Sequence, residues 1–206
     1  MRVDCHLHTV HSGDAVTTVE RLAERLREER VDVVCVTDHH TLAGAHEALS
    51  REIGARVVVG EEIRTHAGEI IGLFLTGRVP YVLPLEEAAS RVRAQGGLVY
   101  APHPFDASRT SLGAEGLARL RELDLLDAVE VFNAKAGAED NRRAARYAEE
   151  HDLPAAAGSD AHDPEGIGAA WVELPDFDGP ASFLTALREG RVTGEFREHV
   201  GYLPTR

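Results

Sequence analysis

Histidines and carboxylates stand in short clusters along this chain, each directly after a run of apolar residues. The first cluster reads Asp4-Cys5-His6-Leu7-His8, with His6 and His8 two positions apart on a predicted strand. Side chains at that spacing share one face of a strand, and their backbones lie about 7 Å apart. Two imidazoles so placed can converge on one metal ion. Because a His-x-His pair also occurs by chance, its weight comes from the clusters that follow it.

Further clusters repeat this composition and this position after an apolar run. They read Thr37-Asp38-His39-His40, Gly60-Glu61-Glu62, Ala101-Pro102-His103-Pro104 and Gly158-Ser159-Asp160-Ala161-His162. The carboxylate of Glu62 can bridge two ions, whereas Glu61 is expected on the opposite face as a polar rim residue. Gly158 permits a tight turn before Asp160 and His162. A ring of imidazoles and carboxylates costs free energy unless cations neutralise it, so the clusters together predict a metal centre.

The segments around these clusters alternate between two hydrophobic periods. Strand-like runs occupy residues 2–8, 31–37, 56–63, 69–75, 98–101, 128–133 and 155–159, the last of which is predicted to be the final barrel strand. Helical periods occupy about 17–29, with Thr17 as the N-cap, and then 43–53, 84–95, 114–123, 139–151 and 182–189. This alternation predicts a parallel α/β sheet. Because the clusters follow successive strands, we expect a barrel with metal ligands at its C-terminal mouth.

Length and composition limit the possible classes of protein. The 206 residues fit one domain but are slightly few for an eight-fold barrel, so we expect a truncated or distorted one. The net charge of −13 argues against binding of long nucleic acid or of an anionic membrane surface. No apolar run could span a bilayer, and the N-terminus lacks the apolar core of a signal peptide. Cys5 and Cys35 are expected to be buried thiols, which suits a cytoplasmic protein.

The motifs DCHLHT, TDHH, GEEI, APHPFD, VEVFNA and GSDAH, in this order over about residues 2–170, resemble the PHP (polymerase and histidinol phosphatase) domain family. The chain is most similar to the compact stand-alone members. The resemblance implies a single domain, 1–206, with a distorted (β/α)7 TIM-like barrel at about 2–170 and a closing helix and tail at about 171–206. It also implies two or three bound Mn, Zn or Fe ions and the hydrolysis of phosphoesters.

The resemblance further implies a ligand set for these ions. It assigns His6, His8, Glu62 and Asp160 to a first ion, Glu62 and His103 to a second, and Asp14, His39 and His162 to a third. Asp38 is expected to orient a ligand imidazole.

One segment departs from the family pattern, which offers the second ion a further histidine in a His-x-Leu-Gly stretch. Here the stretch reads Glu69-Ile70-Ile71-Gly72, so Glu69 is predicted to ligate through oxygen, which favours a hard ion such as Mn²⁺. A weak second site, or ligation by His66 from the preceding turn, are the alternatives.

Catalytic and substrate-binding roles are predicted for residues expected at the mouth of the barrel. Asp160 is predicted to orient a hydroxide that bridges two ions and attacks phosphorus, while His40 or water protonates the leaving oxygen. Arg109, in the loop 102–113, and Lys135, the chain's lysine, are predicted to contact the substrate phosphate. A surface salt bridge is the alternative for either cation. Asn133 is predicted to line the mouth, on the face of its strand opposite to Glu130.

Three functions fit this sequence. The first is hydrolysis of phosphoesters in a small phosphorylated metabolite or nucleotide. The second is an exonuclease or oligoribonuclease-type phosphodiesterase that acts on short ends, since the acidic composition disfavours only long polymers. The third is a non-catalytic barrel that binds metal for structure or regulation. The nearly complete set of predicted ligands favours hydrolysis over the third function.

Overall fold

Strands and helices alternate through residues 1–196, which are the residues that the computed structural model describes; residues 197–206 of the predicted tail lie outside them. The strands are β1 Arg2–Leu7, β2 Val33–Val36, β3 Arg56–Arg64, β4 Glu69–Leu73, β5 Leu98–Ala101, β6 Ala128–Asn133, β7 Ala155–Gly158, β8 Ala170–Glu173 and β9 Arg191–Gly194. The α-helices are α1 Val19–Glu29, α2 Ala43–Ser50, α3 Leu85–Arg93, α4 Gly113–Glu122, α5 Ala138–Glu150 and α6 Pro180–Arg188.

The strands form one sheet that curls into a nearly closed barrel. Its order is β7-β6-β5-β4-β3-β2-β1-β8-β9. Backbone hydrogen bonds then bring the end of β7 to β1: the N–H of Asp160 donates to the His6 carbonyl at 2.7 Å, and the N–H of His8 donates to the Ala161 carbonyl at 2.9 Å. The predicted distorted barrel is therefore confirmed, and the closing contacts lie at the strand ends that carry the clusters.

The prediction of a wholly parallel sheet is wrong at β4. This strand pairs antiparallel with both β3 and β5. Residues 65–68 connect β3 to β4 in a tight turn, in which the Thr65 hydroxyl donates to the Gly68 carbonyl at 2.6 Å. So short a connection leaves no room for a crossover helix, and only an antiparallel pair can be joined this way.

The prediction that residues 155–159 form the last strand is also wrong. The strands β8 and β9 follow, each four residues long, and β8 pairs antiparallel with the start of β1. The first half of β1 therefore neighbours β8, while its end neighbours the residues after β7.

Two local features stand out at the N-terminal end. The register of β1 shifts between Asp4 and Leu7, and Leu7 packs with α1 in a cluster separate from that of Val3. Helix α1 begins one residue later than predicted, because the Thr18 hydroxyl, rather than that of Thr17, accepts from the Arg21 N–H.

Three buried apolar clusters hold the barrel and its helices together. One joins β1, β2 and β5 to α6 and includes Val3, Tyr100 and Phe183. A second packs α3, α4 and α5 against β4, β5 and β6, and a third packs α1 and α2 against β1 and β2. Cys5 and Cys35 are buried free thiols, as predicted. Within the described residues, no helix combines the length and apolar character needed to cross a membrane.

Candidate metal centre

Imidazole nitrogens and carboxylate oxygens from β1, β3 and the segment after β7 meet at the mouth of the barrel. His6 Nε2 lies 3.1 Å from His8 Nε2 and 3.3 Å from Glu62 Oε2. Asp160 Oδ1 lies 3.5 Å from His6 Nε2 and 3.4 Å from His8 Nε2. These four side chains are buried, so their polar atoms face one another instead of water.

Two more groups of ligand atoms adjoin the first. His103 Nε2 lies 3.2 Å from Glu62 Oε1, so the two oxygens of Glu62 face different histidines. Asp14 Oδ2 lies 3.3 Å from His39 Nε2 and 3.4 Å from His162 Nε2. Among residues 1–196, three groups of side chains could each hold an ion: His6, Glu62 and His103; His6, His8 and Asp160; and His8, Asp14, His39 and His162.

The spacing of these atoms fits bound metal. Ligand atoms about 2.1 Å from a four-coordinate ion lie about 3.4 Å from one another, close to the separations seen here. Imidazole nitrogens with carboxylate oxygens suit Mn, Fe or Zn. Oδ1 of Asp14 is buried and has no hydrogen-bond partner in the described part of the chain, as expected of an atom that a cation would complete.

The outer nitrogens of three ligand histidines are anchored to protein. His8 Nδ1 lies 3.0 Å from the Ser12 hydroxyl, and His103 Nδ1 lies 3.2 Å from the Ser111 hydroxyl. His6 Nδ1 lies 3.2 Å from Glu130 Oε1. Such outer contacts fix the ring orientation and leave Nε2 to face the centre.

Glu130 is the supporting residue that the sequence analysis missed as part of the site. Its carboxylate accepts from the Tyr100 hydroxyl at 2.7 Å, the His103 N–H at 2.6 Å and the Asn133 amide at 2.9 Å. The available signal was a single charge inside the apolar run AVEVFN.

The expectation that Glu130 and Asn133 occupy opposite faces is wrong. The register of β6 shifts between Glu130 and Phe132, which turns Asn133 to the same side. The Asn133 amide also donates to Asp160 Oδ2 at 3.1 Å, and its oxygen accepts from the Lys135 N–H at 2.9 Å. Asn133 thus lies fully buried beneath the ligands, next to Asp160.

Opposed charges dominate the first group of ligands. Burial alone would lower the pKa of His6, but Asp160, Glu62 and Glu130 raise it well above its usual value. Burial would raise the pKa of Glu62, yet His6 and His39 hold it well below its usual range. Burial would likewise raise the pKa of Asp160, but Arg109 and His6 together hold it well below its usual range.

The third group shows the same pairing of charges. Burial opposes the charged form of His39, but Glu62 and Asp14 raise its pKa to about 9. The pKa of Asp14 is held below its usual range by His162 and His39, against the effect of burial. Burial and the neighbouring His8 lower the pKa of His162. In this arrangement the carboxylates remain ionised and available to cations.

A cleft of about 410 Å³ opens over the ligands. It is lined by His39, Glu62, Glu69, His103, Ser108, Arg109, Thr110, Asp160 and His162. The Arg109 guanidinium bonds Asp160 and lies 3.3 Å from Asp106 Oδ2, so the predicted substrate loop places this cation beside a ligand. Lys135 Nζ lies 3.0 Å from His162 Nδ1, and burial lowers its pKa.

The two alternatives for the second ion occupy different places. Glu69 lines the cleft, and burial and Glu62 raise its pKa to about 7, although it belongs to none of the three ligand groups found among residues 1–196. His66 is exposed and lines a separate cleft between α3 and α4. Of the two, only Glu69 is brought to the centre.

Three expectations about neighbouring residues need correction or a new reason. Asp38 bonds Thr9, accepting from its N–H at 2.6 Å and its hydroxyl at 2.8 Å, instead of an imidazole. Glu61 is fully buried rather than at the rim, and burial raises its pKa to about 7. Gly158 is needed for space, since a Cβ there would lie 2.3 Å from the Cβ of His6.

Strained backbone occurs at the same mouth. The φ angles of His40, His103 and Asp160 are +57°, +27° and +51°. Such conformations cost free energy in residues other than glycine and are concentrated at functional sites. The ring of His40 stacks on Tyr81, and burial and His39 lower its pKa to about 4, so it is neutral at pH 7.

The sequence is similar to a known family model and to known proteins. The PHP domain family model matches residues 4–103, and the PHP-associated model matches residues 138–192. Uncharacterized protein MJ0417 of Methanocaldococcus jannaschii is 38% identical over 198 residues, which cover 91% of this chain and 79% of that protein.

Two solved structures share the fold. A two-domain protein of Bacteroides vulgatus that contains a predicted PHP-like metal-dependent phosphoesterase has a TM-score of 0.79 and 17% identity, over 95% of this chain and 65% of that one. PsfC of Pseudomonas syringae has a TM-score of 0.69 and 20% identity, over 94% of this chain and 91% of that one. The resemblance seen in the motifs is thus confirmed, and the chain belongs to the PHP domain family.

Proposed function

We propose that this protein is a metal-dependent phosphoesterase that hydrolyses a small phosphorylated metabolite or a nucleotide, using two or three Mn, Zn or Fe ions. The observation that supports it most directly is the convergence of four side chains: the Nε2 atoms of His6 and His8 lie 3.1 Å apart, and each lies 3.2–3.5 Å from a carboxylate oxygen of Glu62 and of Asp160. A purely structural cluster of buried imidazoles and carboxylates would not need an open cleft above it.

The chain's own residues would hold and surround the ions. The first two groups share His6, and the two oxygens of Glu62 face His6 and His103, so Glu62 could serve neighbouring sites. When bound, divalent ions lower the pKa of water and neutralise charge on phosphate oxygens. Asp160 has one oxygen facing the histidines and the other facing Arg109 and Asn133, which fixes the direction of the carboxylate.

Two cations near the candidate ligands suit a phosphate. The Arg109 guanidinium pairs with Asp160. A guanidinium can donate two parallel hydrogen bonds to the oxygens of one phosphate. Lys135, beside His162, adds a second positive charge. A neutral His40 ring does not favour proton donation to the leaving group at pH 7, so water is the proton source that we propose.

The first test combines elemental analysis with turnover. We expect purified protein to carry or take up Mn, Zn or Fe and to hydrolyse p-nitrophenyl phosphate or its bis ester with Mn²⁺ added. His6→Ala should bind less metal and lose turnover, whereas a change of His46, an exposed histidine of α2, to Ala should keep both. Full turnover in His6→Ala would exclude this centre as the active site.

The remaining functions predict different results in the same assay. A phosphodiesterase acting on short ends would shorten labelled oligonucleotides stepwise. The net charge of −13 disfavours the binding of long polymers but not of short oligonucleotides. A non-catalytic barrel would gain thermal stability with metal while a broad panel of phosphoesters stays intact. Turnover of mononucleotides or sugar phosphates alone would support the first function.

A further inference from the structure

A stacked pair of aromatic rings lies beside the metal centre without contributing a ligand. The rings of Tyr81 and His40 have centroids 4.0 Å apart and planes 13° apart. The ring of His40 is 5.8 Å from that of the candidate ligand His39, and the backbone N–H of His40 donates to the Glu62 carbonyl at 3.1 Å. His40 therefore contacts the exposed Tyr81 on one side and two candidate ligands, His39 and Glu62, on the other.

The segment that carries Tyr81 is tied down on both sides of this residue. Before it, the Val79 N–H donates to the buried Glu61 carboxylate at 2.8 Å. After it, Leu83 pairs with Thr65 and accepts from the His66 N–H at 3.0 Å. An aromatic side chain on such a fixed segment loses little entropy when a ligand binds.

Tyr81 is nevertheless open to solvent. The residue is 52% exposed although one face of its ring rests on His40. The Arg78 guanidinium lies 5.4 Å from the ring centroid, on a side chain that is itself half exposed. The exposed part of the phenol ring is therefore accessible to a flat ligand, with a cation beside it.

A positive charge stands beside the stacked pair on a chain of net charge −13. The Arg78 guanidinium that lies near the Tyr81 ring also pairs with the buried Glu61 carboxylate, with 3.6 Å between Arg78 Nε and Glu61 Oε1. This ion pair holds the guanidinium next to the exposed ring. An aromatic surface with an adjacent guanidinium suits a ligand that is both aromatic and anionic.

We propose that Tyr81, backed by His40, stacks on the base of a nucleotide whose phosphate lies in the metal centre. This inference rests on the proposed phosphoesterase activity and narrows its substrate to a nucleoside phosphate. Stacking accepts any base because each has a flat π face. Arg78 supplies positive charge for the anionic parts of the same ligand.

Two substrates that differ only in the base test this proposal. We expect kcat/KM for AMP to exceed that for ribose 5-phosphate. In Tyr81→Ala the ratio of the two values should fall roughly 10- to 100-fold, the size expected of one base–aromatic stack. Tyr81→Phe should keep the ratio because the ring is kept. Leu123→Ala, an exposed apolar residue at the end of α4, is the matched control and should also keep it.

Binding without turnover provides a second measurement. Adenosine should show saturation-transfer NMR signals from its base protons with the wild type and with Tyr81→Phe, and these signals should be lost with Tyr81→Ala. Equal kcat/KM for AMP and ribose 5-phosphate, or adenosine signals that persist in Tyr81→Ala, would overturn the proposal. If no phosphoester, p-nitrophenyl phosphate included, is hydrolysed, the proposed function fails, and the adenosine experiment still decides the role of Tyr81.

Discussion

At the scale of single residues, one buried carboxylate organises the support of the metal centre. Glu130 is fully buried and meets donors from Tyr100, His103 and Asn133, and it also faces Nδ1 of His6. A carboxylate accepts hydrogen bonds at both of its oxygens, whereas the amide of the same size has one acceptor oxygen and an NH₂ donor. Its position links β5, β6 and β1 beneath the ligands.

Glu130→Gln should therefore weaken metal binding while the chain still folds. The amide places a donor against donors, and we expect a loss of roughly 10- to 100-fold in metal affinity, as for other residues that orient ligands. Unfolding free energy should fall by about 1–3 kcal/mol. Competition titration with a chelator and denaturant unfolding measure the two effects. Glu115→Gln, on the exposed face of α4, is the control, and equal affinity in both variants would contradict the role of Glu130.

At the scale of elements, the barrel closes by a contact that only glycine permits. Gly158 ends β7 where this strand approaches β1. A Cβ at this position would lie 2.3 Å from the His6 Cβ and 2.6 Å from Glu130 Oε1. Strand closure and ligand placement thus depend on the same close approach.

Gly158→Ala should separate the two strands and disturb His6. We expect a loss of about 1–3 kcal/mol in unfolding free energy, as for other overpacked positions, together with weaker metal binding. Gly77→Ala is the matched control, because a Cβ there would meet only Gln95 Oε1, at 3.9 Å. Thermal unfolding and metal titration give the measurements. If Gly158→Ala matched the control in both, the close approach would have no energetic importance.

At the scale of the whole molecule, the metal centre joins distant parts of the chain. Its candidate ligands run from His6, at the end of β1, to His162, after β7. Unfolding separates these residues, so bound ions stabilise only the folded barrel.

Removal of metal should accordingly lower the melting temperature. At a free metal concentration near 1,000 times Kd, binding adds about 4 kcal/mol of stability. For a chain of this size that corresponds to roughly 10 °C in Tm. Calorimetry with a chelator and then with Mn²⁺ or Zn²⁺ restored checks the reversibility. A Tm that does not respond to any of these ions would contradict a folded-state metal centre. His6→Ala removes a member of two of the three candidate groups, so its Tm should respond less than that of the wild type.

Much of this protein is determined by short stretches of sequence. Two motifs each place a pair of candidate ligands two positions apart, His6 with His8 and Asp160 with His162. Each pair lies at the end of a mainly apolar run that forms a strand. The candidate ligands and the barrel class could therefore be predicted from the sequence, because the strand ends in such a sheet meet at one mouth.

Tertiary structure alone decided the rest. The register shifts in β1 and β6 determine that Leu7 packs outward and that Asn133 turns toward Asp160, and no local alternation of residues encodes them. The direction of β4 depended on a short turn, and the role of Glu130 depended on donors that come from other strands. These features arise from contacts between residues far apart along the chain, whereas periodicity reports only the faces of a single regular element.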